Sequence, residues 1–228
     1  MTDDSFRPPC YRTILALDIE GSTTRTNSAK AWLRTVMYEL LEEALRGAGI
    51  AERHRDGLVD RGDGVLALIH PVDDVPKTAL LSSVLPTLAR LLREHNSGNP
   101  DRQFRLRAVV HAGEVHYDQR GCFGEALDIA FRLLDAPAVK HRLERTTAPI
   151  VLVVSGDIYR CVVRHGYDGI DDNGFESIVS VTVGRTRHRG WVQVPEDGAE
   201  RRLVDEYPTV ELRAGPTRGH PVRRAVIP

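Results

Sequence analysis

Little in this sequence points to a covalent scaffold, a membrane or a nucleic-acid surface. Its 228 residues carry only three cysteines, Cys10, Cys122 and Cys161. They are too few and too scattered for a disulfide framework or a zinc knuckle, and a reducing cytoplasmic setting is the expectation. No apolar run reaches the ~18 residues of a membrane span, and the opening MTDDSFRPPC lacks the charged-then-apolar form of a signal peptide. The formal net charge is −1, so there is no global basic footprint for nucleic acid, although arginines gather around 102–107 and 185–189. Internal repeats and low-complexity tracts are also missing. What is present is 41% hydrophobic and 28% charged residues, the composition of one globular domain with a real core.

Periodicity divides the chain into alternating elements. After a loose leader over 1–10, residues 11–18 form an apolar strand. An amphipathic helix is expected over 29–48, with Trp32, Val36, Leu40 and Ala44 on its stripe. Strands over 54–61 and 65–69 follow as a hairpin, then a helix over 77–95 and a polar loop over 95–100. A strand over 104–116, a turn at 121–124 and a helix over 125–134 come next. A strand over 150–155, a short helix over 156–165 and a hairpin from 177–183 and 190–194 complete the domain at 195. The charged, Pro- and Gly-rich segment 196–228 reads as a tail. The order predicts an α/β fold of the α+β sandwich kind. It has a mixed, mostly antiparallel sheet with helices packed on it, ferredoxin-like at its centre.

Two short segments carry the chemistry. LALDIEGST closes a strand at Asp18, and DRGDGVLALI sets Asp63 at a hairpin turn 45 positions later. Alone, Asp18 is a good helix cap and Gly62-Asp63-Gly64 an ordinary turn. Together they bring two carboxylates to one sheet edge, where they repel unless a cation lies between them. Mg²⁺ commonly takes one or two carboxylates plus phosphate oxygens. A glycine loop and a helix carrying Arg132 follow in the same chain, and the combination points to nucleoside triphosphate chemistry. Arg132 on its apolar helix has the plainer reading of a side chain reaching to solvent. Asp128, one turn earlier, has that of an i,i+4 ion pair. His111 and His116 fall on opposite faces of their strand, which disfavours a zinc site.

Four motifs in order resemble the class III nucleotidyl cyclase catalytic domain over roughly 11–195: Asp18-Ile19-Glu20-Gly21-Ser22-Thr23, Gly62-Asp63, His111-Ala112-Gly113-Glu114-Val115, and Asp128-Ile129-Ala130-Phe131-Arg132 after Gly124. The resemblance implies that Asp18 and Asp63, with the Ile19 carbonyl, hold two divalent ions, Mg²⁺ or Mn²⁺. One would help activate the ribose 3′-hydroxyl and the other neutralise the triphosphate. Gly21, Ser22 and Thr23 would cradle phosphate oxygens, and Arg132 would stabilise charge growing on the α-phosphate. It further implies a homodimer with shared active sites, aspartates from one subunit and arginine from the other. Arg185 lies in the terminal hairpin, where the family often has Lys. It becomes a candidate triphosphate contact against the plainer reading of a solvated turn. Arg61, two residues before Asp63, is a candidate for base or phosphate.

The departures from the family pattern bear on the base. Purine-specific members carry a Lys four residues before the second metal Asp and an Asp seven before the helix Asn; here these are Val59 and Gly121. Neither side chain can hydrogen-bond a purine edge, and Asp128 replaces the ribose-orienting Asn. The chain is similar in this to stand-alone bacterial Pycsar-type cyclases, which implies cyclisation of UTP, then CTP, as an antiphage signal to a separate cyclic-nucleotide effector. The alternatives are a purine (adenylate) cyclase and a catalytically silent nucleotide-binding dimerisation module. A diguanylate-cyclase relative ranks last, because the helix motif ending in Arg132 has no counterpart there.

Overall fold

The computed structural model describes residues 8–195. The expected tail over 196–228 lies outside the described residues, as does most of the leader; Cys10 already belongs to the first strand. Buried apolar strands at the centre and more exposed ones toward the edges build one sheet in the order β2-β3-β1-β4-β6-β8-β7, with β5 added to β4. The members are β1 (Cys10–Ile19), β2 (Val59–Asp60), β3 (Gly64–Ile69), β4 (Leu106–Asp118), β5 (Gly121–Phe123), β6 (Ile150–Ser155), β7 (Glu176–Val183) and β8 (Thr186–Gln193). Only β4 and β6 run parallel. The mixed, mostly antiparallel sheet with helices on it is the expected architecture.

Strand alternation separates two apolar faces. Leu15, Leu17 and Ile19 of β1 face α1 (Asn27–Gly47) and α2 (Leu85–Gly98), whereas Ile14 and Ala16 face α3 (Glu125–Leu134) and α4 (Pro137–Glu144). A short α5 (Gly156–Cys161) adds Ile158 to the first face. No described helix is long and apolar enough to cross a membrane.

Several boundaries differ from expectation for identifiable reasons. Pro86 removes an N–H and crowds the preceding turn, and the chain widens to a π-helical turn over Leu80–Val84 before α2. The polar stretch after His95 stays helical to Gly98, because the Asn96 side chain bonds both the N–H (3.2 Å) and the carbonyl (2.8 Å) of Phe104. Pro137 does not merely end a helix: at a first helical position its fixed φ starts α4. The strand expected over 54–61 shrinks to Val59–Asp60, since Asp56 is occupied elsewhere: Arg12, His70 and Tyr117 all converge on its carboxylate. Burial opposes ionisation of Asp56, yet these three partners hold its pKa below the ordinary value. The turn expected at 121–124 is strand β5, paired with the end of β4, and the true turn lies at Gln119-Arg120.

Candidate active site

Register fixes the end of β1. Asp18 sits opposite Gly64 of β3 and Arg107 of β4. A Cβ at Gly64 would lie 2.5 Å from the Leu17 carbonyl oxygen, so only glycine lets the hairpin close on β1 here. Gly62 turns the chain at φ 79°, a left-handed conformation that favours glycine. Asp63, between them, is tied down at once: its carbonyl accepts from the Ile19 N–H at 3.0 Å. The hairpin is also held from α1, where Arg34 donates twice to Asp60, at 2.8 and 2.9 Å. That pairing pulls the Asp60 carboxyl down to about 2.

Beyond Ile19 the chain enters a 3₁₀ turn over Ser22–Thr24 through Gly21 at φ 62°. Ser22 is buried, and its hydroxyl donates to the Asp63 carboxylate. Ile19, Ser22, Thr23, Lys30, Arg34 and Asp63 line a cavity of about 450 Å³. Asp60 lines it as well, so two carboxylates, two hydroxyls and two cationic side chains converge there, with Arg34 already paired to Asp60 and Lys30 left to meet an anionic ligand. A larger cleft of about 1070 Å³ contains Glu20 and Arg105 but neither Asp18, Ser22 nor Asp63. There Glu20 holds Arg105 at 2.7 Å, and Arg105 also donates to the Leu143 and Thr146 carbonyls.

Asp18 does not line the smaller cavity. Its carboxylate lies on the Ile14 and Ala16 face and accepts from Arg107. The Arg107 Nη1 is 3.5 Å from Asp135, which Lys140 also approaches at 3.1 Å. The Asp18 pKa is raised, first by burial; Arg107 opposes this and Asp63 adds to it. The last contribution means that the two carboxylates sense each other, as a pair at one sheet edge must.

Solved structures share this architecture. An adenylate/guanylate cyclase/hydrolase from Silicibacter pomeroyi matches at 18% identity with a TM-score of 0.59, over 83% of this chain and 99% of that one. The adenylyl cyclase CyaB from P. aeruginosa matches at 16% and 0.55, over 84% and 96%. The guanylyl cyclase Cya2 matches at 16% and 0.54, with the same coverage. The fold is that of the class III cyclases. No family model matches the sequence, and no curated protein matches it significantly.

On this class III fold the candidate residues divide into two groups. Ile19, Ser22, Thr23 and Asp63 line the cavity, Gly21 leads the chain into the Ser22 turn, and Asp18 ends the strand that pairs with the Asp63 hairpin. The others stand apart from it. Asp128 and Arg132 are exposed on α3, and no ion pair joins them, so the plainer reading of Asp128 as an i,i+4 partner is not met. Arg61 lies over the Phe131 ring, 3.9 Å from its centroid. Val59 pairs with Leu66 and packs against the core, Gly121 begins β5, and Arg185 is exposed at the β7–β8 turn. His111 is engaged with Ser155 at 2.8 Å, and His116 stacks on Phe123. Sequence reasoning missed Lys30, Arg34 and Arg107. The four-residue spacing of Lys30 and Arg34 beside the apolar stripe of α1 was a usable signal; the pairing of Arg107 with Asp18 needed the register.

The donor set fits a hard divalent cation in type: two carboxylates that repel each other and a main-chain carbonyl, all oxygen. Among the described residues no cluster of three or more His, Cys, Asp or Glu side chains gathers, so a cation here would rely on the two aspartates and on oxygens of the substrate.

Proposed function

We propose that this protein is a nucleotidyl cyclase, converting a nucleoside triphosphate to a 3′,5′-cyclic nucleotide and pyrophosphate. The observation that carries the reading is the juxtaposition, on a class III cyclase fold, of Asp18 at the end of β1 with Asp63 beside the Ser22 turn. Asp18, Asp63 and the Ile19 carbonyl would hold the divalent ions, Mg²⁺ or Mn²⁺, which when bound supply charge neutralisation and acidify the 3′-hydroxyl. Lys30 brings positive charge to the cavity that would take the triphosphate, Arg34 being paired there with Asp60, and Thr23 offers it a hydroxyl. The 3′-oxygen bonds to the α-phosphorus, its proton passes to solvent water, and the bond from that phosphorus to the β-phosphate oxygen breaks to release pyrophosphate. Arg132 binds the charge that accumulates on the α-phosphate.

Arg132 and Asp128 stand exposed outside the Asp63 cavity of their own chain. This supports a homodimer in which each site draws α3 from the other subunit. UTP, then CTP, is the favoured substrate: Val59 is apolar and half-buried, and Gly121 has no side chain, so neither can hydrogen-bond a purine edge. The product would signal to a separate cyclic-nucleotide effector in antiphage defence. The structural neighbours named as adenylyl and guanylyl cyclases favour the purine alternative.

The deciding experiment offers purified protein equal ATP, GTP, CTP and UTP with Mn²⁺ and identifies products by mass spectrometry. Cyclic UMP or cyclic CMP is expected. Cyclic AMP or cyclic GMP as main product would retain the reaction and reject the base assignment. No product from any base would leave a silent nucleotide-binding module, a reading that the Arg107 pair on Asp18 already favours.

A further inference from the structure

Arg107 is the least satisfied charged group near the candidate site. Its side chain is only 11% exposed, and it donates to Asp18. Its Nε and Nη1 are nonetheless buried without a hydrogen-bond partner. Nη1 stops 3.5 Å from the Asp135 carboxylate, too long for a hydrogen bond though close enough for an ion pair. Asp135 is 69% exposed and sits directly at the C-terminal cap of α3, three residues after Arg132. The guanidinium therefore has two acidic neighbours: it is hydrogen-bonded to Asp18 and only loosely ion-paired with Asp135, which Lys140 approaches more closely at 3.1 Å.

The hydrogen-bonded neighbour is the one a cation would need. Arg107 holds the Asp18 carboxylate on the α3 face, whereas Asp63 turns into the cavity beside Ser22 on the α1 side. A divalent ion shared by the two aspartates competes with Arg107 for the same carboxylate. Once released, Arg107 can close the short gap to Asp135 and turn the loose ion pair into a hydrogen bond for Nη1, which is otherwise buried without one at some cost.

We infer that Arg107 is a metal-responsive relay: it hydrogen-bonds Asp18 when no divalent ion is bound and Asp135 when one is. This rests on the two-aspartate site proposed above. Because Asp135 caps the helix that carries Arg132, occupancy of one metal site is thereby communicated to α3, the element proposed to serve the partner's site.

The test is a double-mutant cycle on Mn²⁺ affinity, measured without nucleotide on the full chain by calorimetry. Arg107→Ala should tighten binding about tenfold or more, the scale of one hydrogen bond to a charged group. Asp135→Asn, at an exposed position that leaves the core intact, should weaken binding several-fold in the wild-type background. It should have no effect beside Arg107→Ala, because the group it serves is gone. Through-space electrostatics alone would make the two effects add, and additivity overturns the relay. Hydrogen exchange supplies the second readout: Mn²⁺ should change protection at 130–140 in the wild type and not in Arg107→Ala. The same change in both proteins overturns the relay as well. Asp63→Ala separates failure of the relay from failure of the two-aspartate site. If that variant binds Mn²⁺ as the wild type does, the two-aspartate site itself is wrong; if it does not bind and the cycle is additive, only the relay fails.

Discussion

Burial raises the Asp18 pKa, Arg107 opposes the rise and Asp63 reinforces it, so a single side chain feels every force that defines the site. Its position was legible in the sequence, since an aspartate ending an apolar strand before Gly-Ser-Thr is a local pattern. Its partner was not, because Arg107 lies 89 residues away and meets it only through strand pairing. His111 shows the same division. Its strand was evident, but its contact with Ser155 of β6 at 2.8 Å and its 3% exposure depend on packing. Burial lowers its pKa from the ordinary 6.5 to about 4, with Asp157 opposing and His188 assisting. The folded state therefore binds fewer protons than the unfolded chain between these values, and stability falls as pH drops from about 6.5 towards about 4. The expected loss between pH 7 and pH 5 is on the order of 2 kcal/mol. Urea denaturation at both values should show it in the wild type and show much less in His111→Asn. An equal loss in both would remove His111 as its source.

At the scale of elements, the placement of α3 decides where Arg132 is presented, and it rests on two glycines in strands. A Cβ on Gly113 of β4 would come within 2.8 Å of the Ala126 Cβ. One on Gly190 of β8 would come within 2.9 Å of both Leu133 and Val153. The helix thus approaches the sheet more closely than side chains at those positions permit. Gly113 was visible as part of a motif but Gly190 was not, since nothing in its own neighbourhood encodes the helix lying over it. Likewise α4 escaped notice because Pro137 reads as a stop as easily as a start, and only the burial of Val139 and Leu143 distinguishes the two. Gly190→Ala should destabilise the fold by about 1–3 kcal/mol through overpacking. It should also lower turnover more than a surface change of equal stability cost, because Arg132 moves with the helix. Thermal denaturation paired with the cyclase assay checks both, and a stability loss with unchanged turnover would mean that α3 placement does not limit the chemistry.

For the whole molecule, the decisive question is whether one chain makes a complete site. The carboxylate half of the proposed site would be assembled within a chain by β1, the β2–β3 hairpin and the Ser22 turn, whose sequence markers lie close enough together to be read. The arginine half is exposed on α3, and the sequence said only that a helix bears it. If sites are shared, Asp18→Ala and Arg132→Ala homodimers are each inactive, because every site lacks one required group. In a heterodimer of the two, both lesions fall in one site and the other is intact. That site takes its aspartates from the Arg132→Ala chain and its arginine from the Asp18→Ala chain. Random exchange makes half the dimers mixed, so mixing the two inactive proteins should restore roughly a quarter of wild-type turnover. Native mass spectrometry would verify that heterodimers have formed. If they are present and activity stays absent, each site lies within one chain and α3 has a different role.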